Sequence, residues 1–291
     1  MGKDVTAGRR PHRTRAPDTV GPEARKPTSR RGIADKAKAD TRHRFRDLSR
    51  GLNVERLRDC WGDLNKDAAS GVDGVTWQTY AEHLQANVEA LVERLKQKRY
   101  RAKLVRRHDI PKGNGQERPL GMPVIEEQLL QAACTRLLHA IDEQEVLGCS
   151  YGYRPGRGAG DAVRDRTFDL QYGRYGYVVE ADIQGFFDHM DHDWVLEMLR
   201  VRIDDRAFLG LIRKWLKAGI LETDGRVIHP DTGTPQGGVC SPVLANVYLH
   251  YALDLWFEKV VQRRCRGEAL ISRDADALVC AFQCRSDAEW F

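Results

Sequence analysis

The chain has 291 residues, 41% of them hydrophobic, with 47 basic against 42 acidic side chains for a net charge of +5. That length suits one large domain or two ordinary ones with a sizeable core. No apolar run approaches the ~18 residues of a membrane span and no leader resembles a signal peptide, so the expected location is the cytoplasm, away from membranes. Seven scattered cysteines, an odd number with no CxxC pair beside histidines, argue against a disulfide frame or a zinc site and for reduced, mostly buried thiols.

Residues 1–45 hold thirteen Lys and Arg side chains, twelve of them between Arg9 and Arg44, among few apolar side chains. Such a segment buries too little surface to order itself, so a disordered basic tail is expected, usable as a phosphate-binding arm or simply solubilising. Phe45, Leu48, Leu52, Leu57, Trp61 and Leu64 then recur at three- to five-residue steps, predicting an amphipathic helix. After a Ser70–Gly74 loop, Tyr80, Leu84, Val88, Leu91 and Leu95 predict a second.

From Leu104 to Leu120, two extended arms flank Gly113-Asn114-Gly115, a hairpin signal with Lys112 and Arg118 on either side of its turn. Two close cations suit a polyphosphate, although surface charges on a solvated hairpin read the same way. A long helix is expected from Val124 to Val146. Then Tyr151-Gly152-Tyr153-Arg154-Pro155-Gly156-Arg157 mixes aromatics with cations, as in loops that stack on bases and contact phosphates. A helix over 159–172 leads to Tyr177–Asp182, which reads as a short buried strand ending on a carboxylate, with Gly185 breaking it. An acid at a strand end suits a hard cation such as Mg²⁺, and equally an ordinary cap or turn. Helices are predicted over 192–200 and 206–218. Thr234 to Pro242 forms a turn opening another helix, and Ala269 to Phe282 reads as strand, acidic turn, strand.

Four of these stretches, in order and at similar spacing, resemble the reverse transcriptase part of a group II intron-encoded protein, a reverse transcriptase/maturase. They are Ile110-Pro111-Lys112 through Arg118-Pro119-Leu120-Gly121; Tyr151 to Arg157; Asp182-Ile183 through Phe186-Phe187-Asp188; and Gly233-Thr234-Pro235-Gln236-Gly237-Gly238 with Ser241-Pro242. The resemblance runs from about Lys66 to Phe291. It implies an α+β fold, the fingers and palm of a right-hand polymerase, with a small antiparallel palm sheet backed by helices. The implied division is a tail over 1–45, fingers with N-terminal helices over 46–175 and an incomplete palm over 176–291, without the family's thumb and maturase region.

By the same resemblance, Asp182 and the Ile183 carbonyl fall on metal ligands for two Mg²⁺ ions. Phe187 falls on the steric gate against a ribose 2′-hydroxyl, and Lys112, Arg118 and Gln236 on nucleotide contacts. The implied partners are an RNA template with its primer, deoxynucleotides and a group II intron RNA, with Tyr151, Tyr153, Arg154 and Arg157 as RNA contacts. The sequence departs from the family at its second metal motif, Tyr-Ala-Asp-Asp. Here Asp274-Ala275-Asp276-Ala277 occupies those positions, so Asp276 alone remains as the second catalytic carboxylate, and Asp274 is expected to face elsewhere. The expected function is therefore RNA-directed DNA polymerisation, impaired in this chain, with a non-catalytic RNA-binding remnant as the alternative.

Overall fold

The computed structural model describes residues 29–111, 117–234 and 237–291. It is an α+β structure whose helices surround two small sheets. Helix α1 (Arg30–Ala39) is capped by the Ser29 hydroxyl and buries Ile33 and Ala37 against the later helix α5 (Ile125–Asp142). The expectation of a tail through residue 45 is corrected here. Two apolar side chains one turn apart suffice to dock this otherwise charged helix, and Phe45 bridges to Ile203.

The helix expected from Phe45 to Leu64 is also shorter: a 3₁₀ turn at Ser49–Gly51 precedes α2 (Val54–Trp61), because Asn53 caps the backbone of Arg56 and starts the helix there. The next predicted helix divides at His83 into α3 (Trp77–Glu82) and α4 (Leu84–Lys96).

Strands β1 (Val105–Pro111) and β2 (Glu117–Met122) form the expected antiparallel hairpin, with Ile110 opposite Arg118. After α5 come α6 (Ala159–Tyr172), β3 (Tyr177–Asp182), α7 (Phe186–His189), α8 (His192–Arg200) and α9 (Arg206–Leu216). Two-residue strands β4 (Ile220–Leu221) and β5 (Val227–Ile228) complete the hairpin sheet in the order β2-β1-β4-β5, with β4 parallel to β1. That sheet therefore crosses the division expected at 175/176.

Helix α10 (Ser241–Leu249) continues through π turns at His250–Asp254 and Phe257–Val261 into α11 (Gln262–Arg264). Strands β6 (Ala269–Asp274) and β7 (Ala277–Phe282) and helix α12 (Arg285–Trp290) follow. The second sheet has the order β3-β7-β6, all antiparallel. One face, with Ile271, Leu278, Cys280 and Phe282, packs on Phe257 and Val261.

Strand β3 is not buried as expected. It is an edge strand, and Val178 is 53% exposed. Among the described residues no helix is long and apolar enough to cross a membrane.

Candidate active site

Asp182 ends β3, and the next residue is fixed to the β6–β7 hairpin by a hydrogen bond from Ile183 N to Asp276 O of 3.2 Å. Gly185 then adopts a left-handed conformation (φ 60°), and an added Cβ would strike the His189 ring at 2.9 Å. This turn starts α7 and sets Phe187 beside Asp182's end of the strand.

The sheet register decides which carboxylates can cooperate. Asp182 pairs with Ala277, and Ala277 pairs with Asp274, so all three side chains share one face. Asp274 thus faces the same side as Asp182, a correction of the expectation above: residues opposite each other across a hairpin share a face. It nevertheless lies two strand spacings away, roughly 9.5 Å, too far to share an ion with Asp182. The position directly opposite Asp182, at about 5 Å between Cβ atoms, carries a methyl group.

Asp276 sits in the two-residue turn between β6 and β7. Among the described residues no three Asp, Glu, His or Cys side chains converge as a metal ligand set. The oxygens of Asp182, Asp276 and the Ile183 carbonyl suit a hard cation by their chemistry, whereas the side chain of Ala277, opposite Asp182, offers no oxygen.

The turn carrying Asp276 is clamped from below. Arg273 and Asp254 are both fully buried and form a forked ion pair, Nε–Oδ1 and Nη2–Oδ2 each 2.8 Å. The same guanidinium donates to Asn246 Oδ1 (3.1 Å), Ser150 Oγ (2.8 Å) and Ala275 O (3.0 Å), the last within the turn. Ala275 is held at φ 59°, a conformation that disfavours side chains. Cys149 O and Tyr151 N bond the backbone of Arg273, making residues 149–151 a further edge of β6. Gly152 then lies flat on the turn, where a Cβ would collide with the Asp274 carboxylate and with Ala275 N at 2.5 Å.

Sequence reasoning missed this cluster. Its signal was a lone arginine inside the apolar strand Ala269–Asp274 and a lone aspartate in the apolar stretch around Asp254, two charges that burial forces to pair.

The loop predicted to contact RNA is mostly turned inward. Tyr151 is 1% exposed and donates to Asp165 Oδ2 at 2.8 Å. Arg154 is committed to Glu143 and to the carbonyls of Leu147 and Ser150, and Arg157 caps Gly148 O and Ser150 O while stacking on Tyr151. Loops rich in Arg and Tyr look alike whether they bind phosphates or knot a fold together, and these three residues do the second. Tyr153 alone of the four is exposed, edge-on to Phe187 with ring centroids 6.2 Å apart.

Residues 232–234 dock on α7. Gly233 N donates to Met190 O (2.7 Å), Thr234 N to Phe187 O (2.8 Å) and His192 Nε2 to Gly233 O (2.6 Å), and a Cβ on Gly233 would strike Asp188 O at 2.6 Å. Gly237, at φ 108°, approaches Gly121 of β2 just as closely. The stretch that ends on Gly237 therefore joins Phe187 to the base of the β1–β2 hairpin. A cleft of about 200 Å³ lies in this corner, lined among others by Arg107, Gly121, Asp188 and Thr232. Lys112, Gln236 and the Gly113-Asn114-Gly115 turn lie outside the described residues, as does the side chain of Arg118.

Comparison with known proteins matches residues 110–289 to the family model "Reverse transcriptase (RNA-dependent DNA polymerase)". The chain is 34% identical over 189 residues to "Group II intron-encoded protein LtrA" of Lactococcus lactis subsp. cremoris, covering 65% of this chain and 31% of that protein. It is 35% identical over 203 residues to "Protein YkfC" of Escherichia coli (strain K12), covering 68% and 52% respectively. The "Uncharacterized 91 kDa protein in cob intron" of Schizosaccharomyces pombe is 35% identical over 173 residues, 60% of this chain and 21% of that protein. The chain thus spans between about a third and a half of the first two relatives' lengths.

Proposed function

This chain belongs to the reverse transcriptase family, and on that premise we propose that it contains fingers and palm of a group II intron-type RNA-directed DNA polymerase. The family generally uses divalent metals. Asp182, the Ile183 carbonyl and Asp276 would hold magnesium here, which would supply Lewis-acid activation of the primer 3′-hydroxyl and charge neutralisation at the leaving pyrophosphate. The 3′-oxygen forms a bond to the α-phosphorus of a deoxynucleotide, the α–β phosphoanhydride bond breaks, and the hydroxyl proton passes to solvent.

The remaining roles fall to the chain's own residues. Phe187 stands where an aromatic ring excludes a 2′-hydroxyl, and this favours deoxynucleotides over ribonucleotides. Lys112 and Arg118 grip the triphosphate and Gln236 contacts the nucleotide. Tyr153 is the exposed aromatic next to Phe187. An RNA template with primer and a group II intron RNA are the partners, and the basic segment before α1 adds sequence-independent phosphate contacts.

The observation that carries this reading is the hydrogen bond from Ile183 N to Asp276 O, which ties the turn carrying Asp276 to the end of β3 that carries Asp182, next to the turn that presents Phe187. A second reading, RNA binding without catalysis, is favoured by the methyl group of Ala277 opposite Asp182. Magnesium-dependent extension of a primer on an RNA template separates them. Extension by this chain that disappears in Asp182→Ala supports the polymerase. RNA binding with no extension, unchanged by Asp182→Ala, supports the binding role.

A further inference from the structure

A cleft of about 520 Å³ lies away from the β6–β7 hairpin, between α1, residues 43–51 and Leu137 of α5. That volume is typical of small-ligand sites. Its floor is apolar, with Ile33, Phe45 and Leu137 all buried, whereas Lys36, His43 and Arg46 stand at its mouth beside Asp47. The His43 ring meets Phe45 edge-on, with centroids 4.7 Å apart. Burial and then neighbouring Lys36 push the His43 pKa down, so near pH 7 the neutral ring offers one donor and one acceptor.

The walls are held firmly. Arg202, 4% exposed, pairs with Glu145 and donates to His43 O (3.0 Å) and Asp40 O (3.1 Å), while Phe45 N and O bond Arg202 O and Asp204 N at 2.8 Å each. Arg30, Arg31, Lys38 and Arg42 are exposed, lie outside the cleft lining and make no ion pair among the described residues.

An apolar floor with an aromatic edge and a cationic mouth complements the two halves of a nucleotide, a flat base and an anionic phosphate. An acidic peptide would match the cations and leave the floor unused. We propose that this cleft receives one unstacked nucleotide of an RNA strand, with its base against Phe45 and His43 and its phosphate on Lys36; Arg46 is already paired with Asp204 at 3.2 Å. The ligand class rests on the nucleic-acid reading above; the site itself rests on the cleft.

The test is fluorescence anisotropy of the full chain with a labelled hexaribonucleotide at fixed salt, alongside the same strand with abasic residues. Lys36→Ala and His43→Ala should each weaken binding about tenfold, and Lys38→Ala, the same charge change outside the cleft, less than about twofold. The abasic strand should bind this chain as weakly as the intact strand binds His43→Ala. Equal losses from Lys36→Ala and Lys38→Ala would mean diffuse attraction and overturn the proposal, as would undiminished binding of the abasic strand. Displacement by micromolar adenosine monophosphate would assign the cleft to a free nucleotide and overturn the strand assignment. Lys36→Ala changes only an exposed side chain, so a lost fold cannot imitate the expected result. Primer extension reads the candidate active site separately, because these variants leave the β6–β7 hairpin untouched.

Discussion

Replacing Arg273 with methionine leaves the Asp254 carboxylate buried without its cation, and leaves Asn246, Ser150 and the Ala275 carbonyl each short of a donor. Both charges of the pair are fully buried, so water cannot substitute for the lost partner. Removing one member of such a pair costs about 3–5 kcal/mol, a large part of the ~5–15 kcal/mol that holds a typical domain folded. The double variant Arg273→Met/Asp254→Leu removes both desolvated charges together and should recover the part of that loss due to the unpaired carboxylate. Urea unfolding followed by far-ultraviolet circular dichroism reads both, with a lower midpoint at unchanged slope for the single variant. A single variant within about 1 kcal/mol of the parent, or a double variant no more stable than the single, would refute the assignment of this pair as the clamp beneath the β6–β7 turn.

Other outcomes follow from the same geometry. Gly152→Ala should cost about 1–3 kcal/mol, because its Cβ must displace the Asp274 carboxylate or Ala275 N; an unchanged unfolding midpoint would contradict the close packing on the turn. Burial raises the Asp142 and Glu127 pKa values to about 7. In the native chain each therefore keeps a proton that the unfolded chain has released, so stability should fall by about 1.4 kcal/mol per pH unit per group from roughly pH 4.5 to 7 and level off above. Asp142→Asn should flatten part of that slope, and an identical profile would show that the buried carboxyl does not titrate there. Phe187→Ala should admit ribonucleotides in any primer extension the chain supports, and unaltered discrimination would remove the gate role.

Much of the fold was legible wherever a period ran long enough. Helices α5, α6, α8 and α9 and both hairpins lie close to their expected ranges because their apolar spacing and turn residues agree. Helix α1 was not legible, since a ten-residue segment with two buried side chains carries too little apolar signal to distinguish it from a tail. Two-residue strands have no period at all, so the parallel pairing of β4 with β1 could not be anticipated.

At the candidate site, Asp182, Phe187 and Asp276 were visible as motif residues, whereas their cooperation depends on register. Only the pairing of Asp182 with Ala277 and of Ala277 with Asp274 reveals that the side chain nearest Asp182 across the sheet is a methyl group and that the Asp274 carboxylate is the farther one. Strand β3 looked buried because Val178 and Val179 suit a core, but a strand's place in the sheet order is set by its partners. Tyr151, Arg154 and Arg157 were misjudged for a related reason: composition records which groups a loop has, and packing decides which way they turn.

The proposal that follows from the sheet register is that the methyl group of Ala277, opposite Asp182, limits catalysis here. Its most direct test is the rate of magnesium-dependent primer extension on an RNA template by the parent chain and by Ala277→Asp. A carboxylate restored at about 5 Å from Asp182 should raise the rate by about 10²–10³-fold. Equal rates in the two chains, with RNA binding intact in both, would contradict the claim and favour the non-catalytic binding role.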